Sequence, residues 1–216
     1  KRKTLPTFTL APVMSLEAKE FIMNAVIDAI LTRRSVRSYR PDPVPPADLD
    51  TILLAGSYAP NGKGLQNWKF TAIASPERLR QVNEAIRQAL LPIPVTPETH
   101  PYVASLIEKA QDESAEFLYG APALVIVSHL SSDRNAMANS ALAIGSMMLA
   151  AHSLGLGSCW LNQLPGLAHL PPVLALLSEL GIPEEYQVYG SMALGYPAEE
   201  PKPAAPRKEG VITVIR

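Results

Sequence analysis

The chain has 216 residues, with 19 Lys plus Arg against 20 Asp plus Glu and a formal net charge of −1. That length fits one sizeable α/β domain or two small ones, and near-neutrality gives no support for nucleic acid or an anionic membrane as the main partner. A single cysteine, Cys159, excludes an intrachain disulfide framework and points to a reducing compartment, the cytoplasm.

The first segment, KRKTLPTFTLAPV, is basic, but Pro6 and Pro12 interrupt its apolar part, so it makes a poor signal peptide. Residues 1–14 are read as disordered or as an upstream, vector-derived extension, and residues 15–216 as one domain. Ser15 is a candidate cap for a helix over 16–33, with Phe21, Ile22, Ala25, Val26, Ala29 and Ile30 as its apolar stripe. A second helix is expected over 46–58 and a strand over 68–74. Ser75-Pro76-Glu77 reads as a capped start of a third helix, with proline in its first turn. A proline-rich loop at 91–101 precedes a more polar helix over 102–118. The short β-branched run APALVIVSH (121–129) reads as a core strand.

A helix is expected over 133–154, inside the stretch from Arg134 to Glu179 that contains no Asp, Glu, Lys or Arg between its ends. Its length approaches a membrane span, but Asn135, Asn139, Ser140, Ser146 and His152 interrupt it. It is read instead as a helix buried on all sides by its own domain or by a second subunit. Strands at 157–162 and within 186–197, a helix at 171–180 and a final apolar strand at 210–215 complete an α+β chain. That last strand needs a sheet edge, its own or a partner's.

Motif searches narrow the chemistry. No CxxC pair, HExxH or G-x-S-x-G occurs, and the four histidines show no metal-ligand spacing. No metal site and no protein nucleophile with a paired base is expected, so a cofactor is the natural carrier of any chemistry. Four segments remain. TRRSVRSYRP packs Arg33, Arg34, Arg37 and Arg40 around Ser35 and Ser38. Such a cluster suits a phosphate, while a helix C-terminus explains one or two of the arginines without any ligand. APNGKGLQNW holds Pro60, Asn61, Gly62 and Gly64 in a tight loop, which is either a ligand-facing turn or simply a helix-to-strand connection. GLGSCWLNQL ends a strand at Leu161–Asn162, with Cys159 read as buried and inert. APRKEG adds Arg207 and Lys208, by themselves a solvated tail.

Taken in order, these segments and LAIGSMMLAAHSLGLGSCWL resemble the FMN-dependent nitroreductase family, from about Ala25 to Val214. The resemblance implies a nitroreductase-like fold, a central and mostly antiparallel sheet flanked by helices, in an intertwined homodimer with FMN at the interface. It places Arg33, Arg34 and Ser35 at the FMN phosphate and ribityl end and Arg37 at the pyrimidine edge, where negative charge develops on reduction. Pro60, Asn61, Gly62 and Gly64 come from the other protomer, Leu161 and Asn162 lie near flavin N5, and Arg207 with Lys208 returns to the phosphate. The helix at 133–154 becomes the dimer core. Where the family pattern carries Asn, this chain has Gly64. The implied activity is ping-pong hydride transfer from NADH or NADPH to a nitroaromatic, quinone or similar flat small-molecule acceptor. Relatives that synthesise the cobalamin base, dehalogenate or oxidise azolines define alternatives, as does a flavin-binding protein without turnover. The segment 91–118 is expected to cover the active site.

Overall fold

A computed structural model describes residues 24–215. Its centre is a four-stranded sheet of β1 (Trp68–Ile73), β2 (Ala123–Leu130), β3 (Gly157–Leu161) and β4 (Tyr186–Gly195), in the order β1-β2-β4-β3. Every pairing is antiparallel. β2 lies inside the sheet, and its apolar run is buried from Ala123 through His129. Strand alternation sends Leu124 and Ile126 to one face and Ala123, Val125 and Val127 to the other. A bulge in β4 leaves Tyr189 unpaired, since Val127 faces Gly190 and Ser128 faces Val188. Val188 therefore joins the first face while Met192 and Leu194 join the second.

Helices cover both faces. On the first face lie α3 (Pro76–Leu90), α4 (Pro101–Ala110), α6 (Gln163–Leu167) and α7 (Pro171–Glu179); on the second lie α2 (Pro46–Ser57) and α5 (Ala136–Ser153). α3 starts at the expected Ser75 cap, whose hydroxyl accepts from the Arg78 amide at 3.4 Å. It buries Leu79, Val82, Ile86, Ala89 and Leu90, an apolar stripe at helical spacing. α1 (Ala25–Thr32) packs at the end of α5, where Thr32 Oγ1 meets His152 Nε2 at 2.7 Å.

The α+β class and the antiparallel sheet agree with the sequence reading; several boundaries do not. The first helix is described only from Ala25 and is capped by the Asn24 side chain; Ser15 and the start of the expected helix lie outside the described residues. The helix expected over 102–118 ends at Ala110. There Asp112 Oδ1 captures the Ser114 amide at 2.8 Å, and Asn83 holds the following strand of chain through Ala115 O and the Phe117 amide, each at 2.7 Å. These side-chain bonds replace helical ones. The helix expected from 133 begins at Ala136, because Asp133 Oδ1 takes the Asn135 amide at 2.8 Å in a turn. The strand expected to reach 162 stops at Leu161, and α6 follows where only a loop was expected.

A further difference concerns 210–215, expected as a strand on this chain's own sheet or a partner's. These residues form no strand in this chain, and Val211, Ile212, Val214 and Ile215 are exposed. The burial expected around α5 is also one-sided. Ala136, Asn139, Ser140, Ala143, Ile144, Met147 and Ala151 face the core, while Met137 and Leu142 on the opposite face are exposed. Among the described residues, no helix is long and apolar enough to cross a membrane.

Candidate functional site

The arginine segment leaves α1 and runs beside β3. Ser35 bridges to Ser158, and the Val36 amide donates to Ser158 O at 3.0 Å. Gly157 makes this approach possible, because a β-carbon there would strike the Val36 side chain. The chain then continues against the end of β4, with Arg40 N donating to Tyr196 O at 2.9 Å and Ala198 N to Ser38 O at 3.0 Å.

The four arginines divide. Arg40 pairs with Asp42 at 3.3 Å and lies 4.9 Å from the Tyr196 ring centre, so it is a surface ion pair. Arg34 donates through Nη1 to Leu31 O at 2.8 Å and to its neighbour Arg33 O at 2.7 Å, closing the end of α1. Among the described residues, its Nε, like Arg33 Nη1, is buried without a hydrogen-bond partner. Arg34, Ser35, Arg37 and Ser38 line a groove of about 550 Å³, whose other wall includes Glu199, Glu200 and Lys202. Lys202 was missed by the sequence reading, which took Arg207 and Lys208 as the late cations. Arg207 donates to Ala205 O within its own exposed turn, and Lys208 is exposed beside it. Neither lines the groove.

Behind the arginines, β3 presents Cys159. Burial pushes its thiol up, while the charges of Arg37 and Arg33 and a bond from Ser35 pull the other way. The thiol is buried, in keeping with an inert role. Burial likewise raises the phenols of Tyr39 and Tyr102 against the pull of Arg37. Both therefore stay neutral: the Tyr39 hydroxyl donates to Val36 O at 2.7 Å, and that of Tyr102 accepts from Gln163 Nε2 at 3.3 Å.

At the end of β3, Leu161 O accepts from Ser191 Oγ at 3.1 Å, and Asn162 O accepts from the Gly166 amide at 3.1 Å as α6 begins. The Asn162 side chain takes the Trp160 indole N–H at 2.6 Å. Beside this corner lies a mainly apolar chamber of about 590 Å³, walled by Leu90, Tyr102, Leu106, Asn162, Gln163 and Leu170 among others. Part of the 91–118 segment thus forms a wall next to Asn162, through α4.

The loop at 60–64 stands elsewhere. The Gly62 amide donates to Asn139 Oδ1 at 3.0 Å, near the N-terminal end of α5, whereas Thr32 and the arginines sit at the C-terminal end, by His152. Those two α5 residues are separated by about 20 Å at 1.5 Å per residue. One chain therefore holds the arginine groove and the loop at opposite ends of the same helix.

A sheet of this order between two layers of helices, an arginine segment laid along its edge strand and an uncharged central helix with one bare face together define an α+β scaffold. A sequence model of the Nitroreductase family matches residues 30–196, and the chain belongs to that family. It is 40% identical to a nitroreductase with bound FMN from Bacteroides fragilis, covering 90% of this chain and all of that one at a TM-score of 0.82. An NADH dehydrogenase of Thermus thermophilus is 31% identical over 82% of this chain and 88% of its own. An iodotyrosine deiodinase of Thermotoga neapolitana is 25% identical over 88% of this chain and 97% of its own.

Proposed function

We propose that the chain is an FMN-dependent NAD(P)H oxidoreductase that acts as a homodimer on small flat acceptors. The observation that carries this reading is the pair of buried, unpartnered guanidinium atoms, Arg33 Nη1 and Arg34 Nε. Buried charged donors without partners are costly, and a phosphate is a group that would relieve them; Arg34 lines the groove while Arg33 lies beside it in the chain. The FMN-bound relative from Bacteroides fragilis, alike over the full length of that chain, supports the same cofactor.

On this reading Arg33, Arg34 and Ser35 hold the phosphate, with Lys202 of the groove wall near it. Arg37 sets a fixed positive charge beside the ring system. FMN held there would supply two-electron hydride chemistry between NADH or NADPH and an acceptor that takes the donor's place, which would give ping-pong kinetics. The chamber beside Asn162 excludes water from the acceptor through its Leu90, Leu106 and Leu170 walls. Tyr102 and Gln163, joined at 3.3 Å, are the polar pair there.

The dimer follows from the 20 Å separation argued above from the rise of an α-helix. A second α5 laid antiparallel on the bare Met137–Leu142 face brings the Pro60, Asn61, Gly62 and Gly64 loop of one protomer to the arginine end of the other. The absence of charge from Asn135 to Ser178 suits such a contact.

The test is steady-state oxidation of NADH and NADPH by FMN-loaded protein with a quinone, a nitroaromatic and an iodinated phenol as acceptors. Turnover with the first two and parallel double-reciprocal lines are expected. No turnover with any acceptor overturns the reading in favour of a flavin-binding protein. Turnover with the iodophenol alone moves the chain to dehalogenation, the chemistry named by its deiodinase relative.

A further inference from the structure

The loop between α2 and β1 takes a conformation that its own residues do not favour. Lys63, Gly64 and Gln66 have φ of 56°, 66° and 51°, and two of these three have a β-carbon. Within the loop, Asn61 Oδ1 accepts from the Gln66 amide at 3.0 Å. Asn61 O also accepts from the Gly64 amide and Gly62 O from the Leu65 amide, each at 3.3 Å, and further restraints come from below. Gly62 N–H donates to Asn139 Oδ1, and Asn67 Nδ2 donates to Asp133 Oδ2 at 3.4 Å. Asn67 O also accepts from the Leu130 amide at 3.0 Å.

Asn139 is itself held. It is buried, and with Oδ1 turned to Gly62 its Nδ2 faces His129 Nε2 at 3.3 Å. Nδ2 has only hydrogens to offer, so Nε2 must accept. On the other side of the ring Nδ1 meets Leu130 O at 3.3 Å, and Asp133 Oδ2 lies 3.7 Å from Nε2. The Tyr189 ring closes the site edge-on, with centroids 6.4 Å apart. Gly62 is pressed so closely on the start of α5 that a β-carbon would collide with the Asn135 carboxamide.

We propose that Asn139 and His129 are positioning residues for the cofactor site of the opposite protomer. They fix the Pro60–Gly64 loop, through the Gly62 amide, in the one conformation that meets the flavin across the interface. This rests on the FMN-dimer reading above. Neither residue touches the cofactor; each acts through the loop. His129, one of four scattered histidines in the sequence, thus has a function that spacing could not reveal.

The test measures FMN affinity of full-length protein by flavin fluorescence titration. Asn139→Leu removes both bonds and is expected to weaken FMN about tenfold, the loss of roughly one hydrogen bond's worth of positioning. Asn139→Asp keeps the acceptor for Gly62 but loses the donor to His129, and is expected to fall between wild type and Asn139→Leu. Gly62→Ala displaces the loop without touching the core and should match Asn139→Leu. A mixed dimer is decisive for direction: one chain carries Asn139→Leu, the other Arg33→Ala with Arg34→Ala. Such a dimer has one doubly impaired site and one intact site, so half its flavin should bind with wild-type affinity. Wild-type affinity in both Asn139→Leu and Gly62→Ala overturns the proposal. Equal loss in Asn139→Asp and Asn139→Leu also overturns it, since only a structural role remains. Two weak sites in the mixed dimer overturn the partner-directed part. Failure of wild-type protein to bind FMN at all is a separate result, and sinks the function reading instead.

Discussion

Arg33 and Arg34 are built into the chain at a disadvantage when no anion is present. Among the described residues each leaves one buried guanidinium nitrogen without a partner, and an unpaired buried donor of this kind costs about 1–3 kcal/mol. Removing both side chains should therefore affect ligand binding far more than folding. Arg33→Ala with Arg34→Ala is expected to weaken FMN by roughly a hundredfold or more, as two charge-assisted contacts are lost. The flavin-free form should melt within a few degrees of wild type. Calorimetric titration and a thermal melt of the flavin-free protein check the two halves. An unchanged FMN affinity would end the phosphate assignment. Arg37 and Arg40, four and seven residues from Arg33, do not share this tension. Arg40 already has Asp42, and so the four charges that look alike in the sequence perform different tasks.

α5 is the element on which the proposed dimer depends. Its inner stripe packs on the sheet and α2 through Ala143, Ile144, Met147 and Ala151. Its outer stripe exposes Met137 and Leu142. Leu142→Glu puts a charge into a face that must be apolar if it meets its own copy, and a pair of buried like charges is strongly unfavourable. The variant is expected to run as a monomer in light scattering, with a normal circular dichroism spectrum and little bound FMN. A variant that remains dimeric and yellow would count against α5 as the dimer core. Elements of this kind were legible in the sequence because their periodicity was strong. β2 announced itself through ALVIV, α3 through its Ser75-Pro76 start, and α5 through its missing charges. Boundaries decided by single side chains were not legible. Asp112 and Asn83 end α4 early by capturing amides, and nothing in the local pattern of 102–118 signals that Asn83 will arrive from a distant helix. The same holds for the site. The arginine segment and the 60–64 loop were recognisable by composition and order, whereas the Asn139–His129 link joins residues that look like ordinary parts of a helix and a strand.

At the scale of the whole molecule, the described chain carries an exposed apolar arm at 211–215. After β4 the backbone crosses the arginine groove through Ala198 and Lys202, then leaves the body of the fold, and Val211, Ile212, Val214 and Ile215 all face solvent. Fully burying an apolar side chain of this size contributes about 1.5–3 kcal/mol, so a second subunit that covers even half of this arm gains several kcal/mol. An apolar strand-forming run that finds no edge on its own sheet suits pairing with a partner's edge. Truncation after Glu209 removes the arm and touches no core residue of the described fold. The truncated chain is expected to keep its secondary structure and the melting temperature of the monomer. Its dimer dissociation constant should rise by roughly a hundredfold or more, since a loss of about 3 kcal/mol is a factor of that order. FMN should be retained less well in proportion to the lost dimer. Sedimentation across a dilution series, with flavin absorbance recorded alongside protein, separates the arm from the groove. If the arm acts only through dimerisation, raising protein concentration restores flavin binding to the truncated chain. If FMN stays weak in a fully dimeric sample, the stretch around Val211 contributes to the site directly. A truncated chain that dimerises as tightly as the full one would show that α5 alone holds the two subunits together.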